Sequence, residues 1–136
     1  MNTVKRFKVK ALCPGEFSAP ALITRERVSM LGNCDPEKGL FIDPNSELKG
    51  ATFSGKALVF TSGKGSTLWS FFMNATRRYG TQPAAIINRE IDSLVVWACV
   101  LCDIPMFQVK DDSIFDHVKN GDPLTFDPIN NEIVLK

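Results

Sequence analysis

Lys56-Ala57-Leu58-Val59-Phe60-Thr61-Ser62-Gly63-Lys64-Gly65-Ser66-Thr67 is the stretch on which the fold turns. Its first half is a short apolar run that reads as a buried strand. Its second half holds only small, hydroxylated or charged residues and two glycines, which is loop chemistry. From Leu68 the period changes. Leu68, Phe72, Ala75 and Tyr79 recur at helical spacing, Arg77 and Arg78 fall where the last turn would be, and Gly80 follows as a C′ residue. The pattern then repeats. Residues 84–88 read as a second buried strand, Asp92 caps an apolar helix running to about residue 102, and residues 104–109 are extended again. Right-handed crossovers place these strands in one parallel or mixed sheet.

Outward from this β-α-β-α-β centre, the N-terminal half reads as β. Residues 6–12 alternate Phe7, Val9 and Ala11 against Lys8 and Lys10, and Cys13-Pro14-Gly15 ends the run. Residues 19–24 form a second strand, residues 28–39 are irregular, and Leu40-Phe41-Ile42 is a short strand closed by Asp43-Pro44-Asn45. Short strands and breakers at this spacing predict a small barrel or sandwich. Past the centre, residues 113–119 predict a short helix with Asp112 as cap. Residues 123–127 and 132–135 predict a hairpin through Asn130-Asn131. The expectation is an α/β fold in one domain over residues 1–136, without repeat, linker or low-complexity tract.

The chain has 136 residues, enough to bury roughly two thirds of its unfolded surface. Its formal net charge is +1, so no basic excess points to nucleic acid. No run approaches the ~20 apolar residues that span a bilayer, and no apolar segment follows the charges of Met1-Asn2-Thr3-Val4-Lys5-Arg6-Phe7-Lys8 as in a secretory signal. Of the four cysteines, Cys99 and Cys102 have C-x-x-C spacing. Redox pairs of that spacing sit exposed at a helix N-terminus, whereas residues 95–102 read as a buried helix. Zinc would need two further ligands, and His117 is the only histidine. The reading is a reduced, cytoplasmic chain with no metal of its own.

The loop at residues 61–67 carries the chemistry. Glycines let a backbone approach a ligand closely, and the helix that follows offers unpaired N–H groups to an anion. Lys64 adds a full charge, and Ser62, Ser66 and Thr67 add hydroxyls. The order of residues is not that of a P-loop, because Lys64 precedes the second glycine, nor that of a nucleophile elbow. By itself the loop reads as an anion site at a helix N-terminus, or as an ordinary strand–helix turn with Ser66 as N-cap.

Several segments together resemble the small subunit, or swivel domain, of the aconitase X family of hydro-lyases. They are Met30-Leu31-Gly32-Asn33-Cys34-Asp35-Pro36-Glu37-Lys38-Gly39, Ile42-Asp43-Pro44, Gly50, residues 55–60, Ser62-Gly63-Lys64-Gly65-Ser66-Thr67, residues 83–90, and Asp103-Ile104-Pro105-Met106. The resemblance implies a single swivelling β/β/α domain like the mobile domain of aconitase. It implies a heteromeric dehydratase whose larger subunit carries an iron or iron–sulfur centre, and a small anionic substrate. Two family activities fit: dehydration of 5-phosphomevalonate to anhydromevalonate phosphate on an isoprenoid route, and dehydration of cis-3-hydroxy-L-proline. The serine base of aconitase-like domains matches Ser66, with Ser62 also open for that role. Ser62, Gly63, Lys64, Gly65 and Thr67, with Asn88 and Arg89, are the expected substrate contacts. A free serine is a weak base, and a helix N-terminus, Lys64 and a nearby metal would each stabilise its alkoxide. The sequence departs from the family pattern in the segment with Cys34, where a glycine-valine pair is commoner, and at three further points. Asn45-Ser46-Glu47 stands where a histidine is expected, Thr67 replaces a second serine, and no arginine follows it. A rival reading is a non-catalytic swivel domain that binds an anion or docks onto another protein.

Arg89 and Glu90 follow a buried strand at its C-terminal end, where α/β sheets gather ligands. Asp35 and Glu37 would order their loop or touch a partner. Trp69, Phe71 and Phe72 read mostly as core, with a subunit interface as the alternative for Trp69, and His117 is expected on the surface of a helix.

Overall fold

The computed structural model describes residues 4–64 and 67–136. The elements run β1 (Lys5–Cys13), β2 (Ser18–Ile23), α1 (Met30–Asn33), β3 (Cys34–Asp35), β4 (Leu40–Phe41), β5 (Ala57–Phe60), α2 (Trp69–Tyr79), β6 (Ala85–Asn88), α3 (Ser93–Leu101), β7 (Met106–Val109), α4 (Ile114–His117), β8 (Pro123–Asp127) and β9 (Glu132–Leu135). Among the described residues, seven strands close into a barrel in the order β1-β7-β6-β5-β2-β8-β9, and β3 and β4 form a separate ribbon. Strands β2, β5, β6 and β7 are parallel neighbours, and the remaining pairs are antiparallel. No helix among the described residues is long and apolar enough to cross a membrane.

Barrel closure depends on β1, which changes partner along its length. Lys5 to Lys8 pair with β9, Val9 to Cys13 pair with β7, and the register shifts between Ala11 and Cys13. A bulge of this kind bends a strand, as closure requires. The interior alternates small and large side chains. Ala19, Ala21, Ala57 and Ala85 leave room for Phe17, Phe107 and Phe126, with ring centroids 5.6 Å (Phe17–Phe107) and 4.4 Å (Phe107–Phe126) apart. A second core lies outside the barrel. There Leu58, Phe60, Ile86 and Met106 face Trp69, Met73, Val95 and Ala98 of α2 and α3. Strands β5 and β6 are therefore buried on both faces, which is why they read as unbroken apolar runs.

Most expected elements are present, and several details are corrected. The β-rich half forms a barrel, so the sandwich alternative falls. The segment expected to be irregular, residues 28–39, contains α1 and β3. Helix α2 buries Trp69, Met73 and Thr76, whereas Leu68 and Tyr79 of the expected stripe are 40% and 57% exposed. The buried face is rotated by one position because Trp69 stacks on Phe60 (centroids 6.1 Å apart, planes at 4°). Trp69, 1% exposed, is thus a core residue and not an interface anchor. Helix α2 has Leu68 at its N-cap, with no side-chain cap bond, and the expected cap Ser66 lies outside the described residues; α4 has Ser113 at the N-cap position, its N–H bonded to Asp111 Oδ1 (2.9 Å) rather than capped by Asp112. At its other end α2 stops as expected, on Gly80 at φ 73° after Arg77 and Arg78.

Candidate functional site

The C-terminal ends of the parallel strands form one rim of the barrel, and the β5–α2 connection lies on it. Backbone bonds stitch its start in place. The Thr61 carbonyl accepts from the N–H groups of Arg89 (3.1 Å) and Glu90 (2.9 Å). Val28 donates to Ser62 O (3.0 Å), and Lys64 donates to Val28 O (3.0 Å). The connection is thus pinned to β6's exit and to the segment after β2.

Gly63 sits at a contact. A Cβ placed on it would lie 2.4 Å from Val95 Cγ2, 3.1 Å from Asp92 Oδ2 and 3.2 Å from Trp69 Nε1. Ser62 is buried and its Oγ donates to the Gly63 carbonyl (3.1 Å). Lys64 and Thr67 are exposed. Gly65 and Ser66, both singled out in the sequence, lie outside the described residues. Asn88 is fully buried; its Nδ2 donates to Phe60 O (3.2 Å), and its Oδ1 has no partner among the described residues. Trp69 Nε1 is likewise buried without a partner among the described residues.

Two clefts flank this connection. One, of about 240 Å³, is lined by Lys64 together with Glu26, Arg27, Asn33, Asp43, Asn45 and Ser46. The other, of about 300 Å³, is lined by Arg89 with Arg25, Thr61, Glu90, Asp112 and Phe115. Arg89 Nε binds Asp112 Oδ1 (2.7 Å), and Arg25 binds Asp116 (2.5 Å). Lys64 and Arg89, expected on one substrate, therefore open onto different clefts, and Asn88 lines neither. Glu90 reaches Arg27 (3.4 Å). Asp35 orders its own loop by accepting from the N–H groups of Glu37 (3.0 Å) and Lys38 (3.2 Å). His117 is exposed on α4.

All four cysteines are buried and free. Burial pushes the Cys34 thiol up to about 12 and raises that of Cys99 strongly. Cys13 and Cys102 are raised too, by burial first and then by the Asp103 charge for Cys13. Such thiols are inert as nucleophiles. Among the described residues no three His, Cys, Asp or Glu side chains come together to hold a metal ion, so an iron centre does not fit this chain's own donors.

A seven-stranded barrel covered by two helices, with a Ser-Gly-Lys connection on its rim, is matched over residues 6–135 by the family model for the aconitase X swivel domain. The chain belongs to that family. This aconitase X swivel domain is 41% identical over 121 residues to a Methanothrix thermoacetophila protein named phosphomevalonate dehydratase small subunit, covering 89% of this chain and 88% of that one. The protein of the same name from Archaeoglobus fulgidus is 36% identical over 117 residues, 86% of this chain and 88% of that one. The fold is similar to the holo-form of Thermococcus kodakaraensis aconitase X, with a TM-score of 0.88 and 31% identity over 97% of this chain and 98% of that one.

In the swivel domain, the residues that sequence reading passed over are those opposite Lys64. Arg27 carries no signal beyond the charged run Arg25-Glu26-Arg27 that follows the second strand, and Asn33 read as one letter of a motif. Asn45 and Ser46 read as a gap where a histidine was expected. They meet Lys64 only because Val28 bridges to Gly63. That pairing leaves no periodic signal in either segment.

Proposed function

We propose that the chain is the small subunit of an aconitase X-type hydro-lyase that dehydrates 5-phosphomevalonate to anhydromevalonate phosphate. The observation that carries this reading is the identity to proteins named as that small subunit across most of both chains. In this reading the enzyme is a cytoplasmic heteromer on an isoprenoid route. The active site is completed by a larger subunit, which holds an iron or iron–sulfur centre as a Lewis acid for the departing hydroxyl. The small subunit supplies the rim. Ser66 accepts the proton next to the substrate carboxylate, its alkoxide favoured by the N-terminus of the following helix, and Lys64 binds the anionic substrate by charge. Ser62, Gly63, Gly65 and Thr67 shape the connection, with Asn88 supporting it from beneath and Arg89 flanking it.

The test is reconstitution. The tagged chain, purified gently from its native cells, is expected to bring an aconitase-like large subunit with it. That complex should dehydrate 5-phosphomevalonate and leave cis-3-hydroxy-L-proline untouched. Turnover of the proline alone would replace the substrate. Isolation of the chain without a partner, under conditions that keep weak complexes, would sink the heteromeric reading and return the non-catalytic anion-binding domain.

A further inference from the structure

Arg27 and Lys64 open onto one cleft, and the acids beside them are already engaged. Glu26 accepts from the Ser46 hydroxyl (2.8 Å) and the Glu47 N–H (3.4 Å). Asp43 accepts from Asn33 Nδ2 (2.6 Å) and the Asn45 N–H (2.9 Å). These carboxylates are fixed by neutral donors, so each orders the cleft wall instead of crossing it to meet a cation. Lys64 has no ion pair among the described residues. Among the described residues Arg27 pairs only with Glu90, at 3.4 Å with side chains 61% and 55% exposed, and a pair that open holds its partner weakly.

The cleft, about 240 Å³, is smaller than the roughly 300–1,000 Å³ that encloses a whole small ligand. It therefore takes one end of a substrate. A guanidinium and an ammonium lining the same cleft, Arg27 and Lys64, suit a phosphate, which carries about −1.5 to −2 charge and three acceptor oxygens. The substrate carboxylate belongs elsewhere, because the carbon that loses its proton is next to it and must be within reach of the base.

We infer that this cleft holds the phosphate of the substrate through Arg27 and Lys64, and so selects a phosphorylated hydroxy acid over an unphosphorylated one. The inference rests on the dehydratase reading above and adds a specificity-determining residue, Arg27.

In the assembled enzyme, Arg27→Gln is expected to raise KM for 5-phosphomevalonate about 10-fold, with a smaller fall in kcat. Inhibition by mevalonate, the same acid without the phosphate, should be unchanged, and Arg27→Lys should restore part of the loss. Lys64→Gln should act in the same direction. An unchanged KM in Arg27→Gln would overturn the inference, as would an equal loss for mevalonate, which would mean that the cleft reads the carboxylate or that the fold has suffered. If the complex does not act on 5-phosphomevalonate, titration of inorganic phosphate into the isotope-labelled full chain decides alone. Saturable amide shifts at Arg27, Asn45 and Lys64 that vanish in Arg27→Gln would keep the anion cleft while the dehydratase reading falls. Their absence would remove the cleft as well.

Discussion

Gly63 shows what a single hydrogen atom can hold open. It has no left-handed φ, so no turn demands glycine there; Val95 does. A methyl group 2.4 Å from Val95 Cγ2 must push α3 or the connection aside. Gly63→Ala is therefore expected to lower stability by about 1–3 kcal/mol. A thermal melt would show this as a drop of several degrees, and Val95→Ala in the same chain should recover much of it. An unmoved melting point would mean that the glycine serves ligand approach, as its sequence context implied. Ser66 is the opposite case, a residue whose loss should leave the fold alone. Ser66→Ala should keep co-purification with the large subunit while turnover falls about 10²–10⁴-fold, the usual range for a lost general base. Loss of assembly along with activity would make Ser66 structural. The strand–loop–helix joint at this connection was legible because an apolar run gives way to glycines and hydroxylated residues and then to helical periodicity. The role of Gly63 was not, because Val95 is distant in the chain and its rotamer is set by tertiary packing.

Helix α3 depends on one cap. Asp92 is extended (φ −114°, ψ 117°) and its Oδ1 accepts from the Leu94 N–H at 2.9 Å. The helix carries no acidic residue in its first turn and no basic one in its last, so nothing else complements its ends. Asp92→Ala should cost about 0.5–2 kcal/mol, and Asp92→Asn should restore most of it. A urea midpoint for each variant checks this. An alanine variant as stable as the parent would show that packing of Val95 and Ala98 alone holds the helix. The cap could be read from sequence because an aspartate just before an apolar helix is a local signal. Strands β8 and β9 were equally plain, two alternating runs either side of Asn130-Asn131. The face of α2 was not, since Leu68, Phe72 and Tyr79 make as good a stripe as Trp69, Met73 and Thr76 until Phe60 is known to lie beneath Trp69. The choice of barrel over sandwich was beyond reach for the same reason: β1 pairs with both β7 and β9, and neither pairing is visible in β1 alone.

At the scale of the molecule, the layer between barrel and helices collects all four thiols: Cys13, Cys34, Cys99 and Cys102 belong to that one core cluster. An apolar layer disfavours thiolate, so each is harder to ionise folded than unfolded. The consequence for stability has a definite sign. Below about pH 9, the ordinary thiol value, both states hold the proton and these groups add no pH dependence. Above it, the unfolded chain releases protons that the native chain keeps. The unfolded state then binds fewer protons, and stability falls as pH rises. For Cys34, with its thiol near 12 when folded, the loss approaches about 1.4 kcal/mol per pH unit across the window from about 9 to 12. Cys99 adds to it in the same direction, its thiol raised by burial and by Cys13 and Cys102. Urea midpoints at about pH 8, 9.5 and 10.5 should therefore fall steeply in the parent and less steeply in Cys34→Ala. Lysine and tyrosine titration is common to both chains and cancels in the difference. Parallel slopes would mean that Cys34 ionises as readily in the fold as out of it, and that the layer around it admits water.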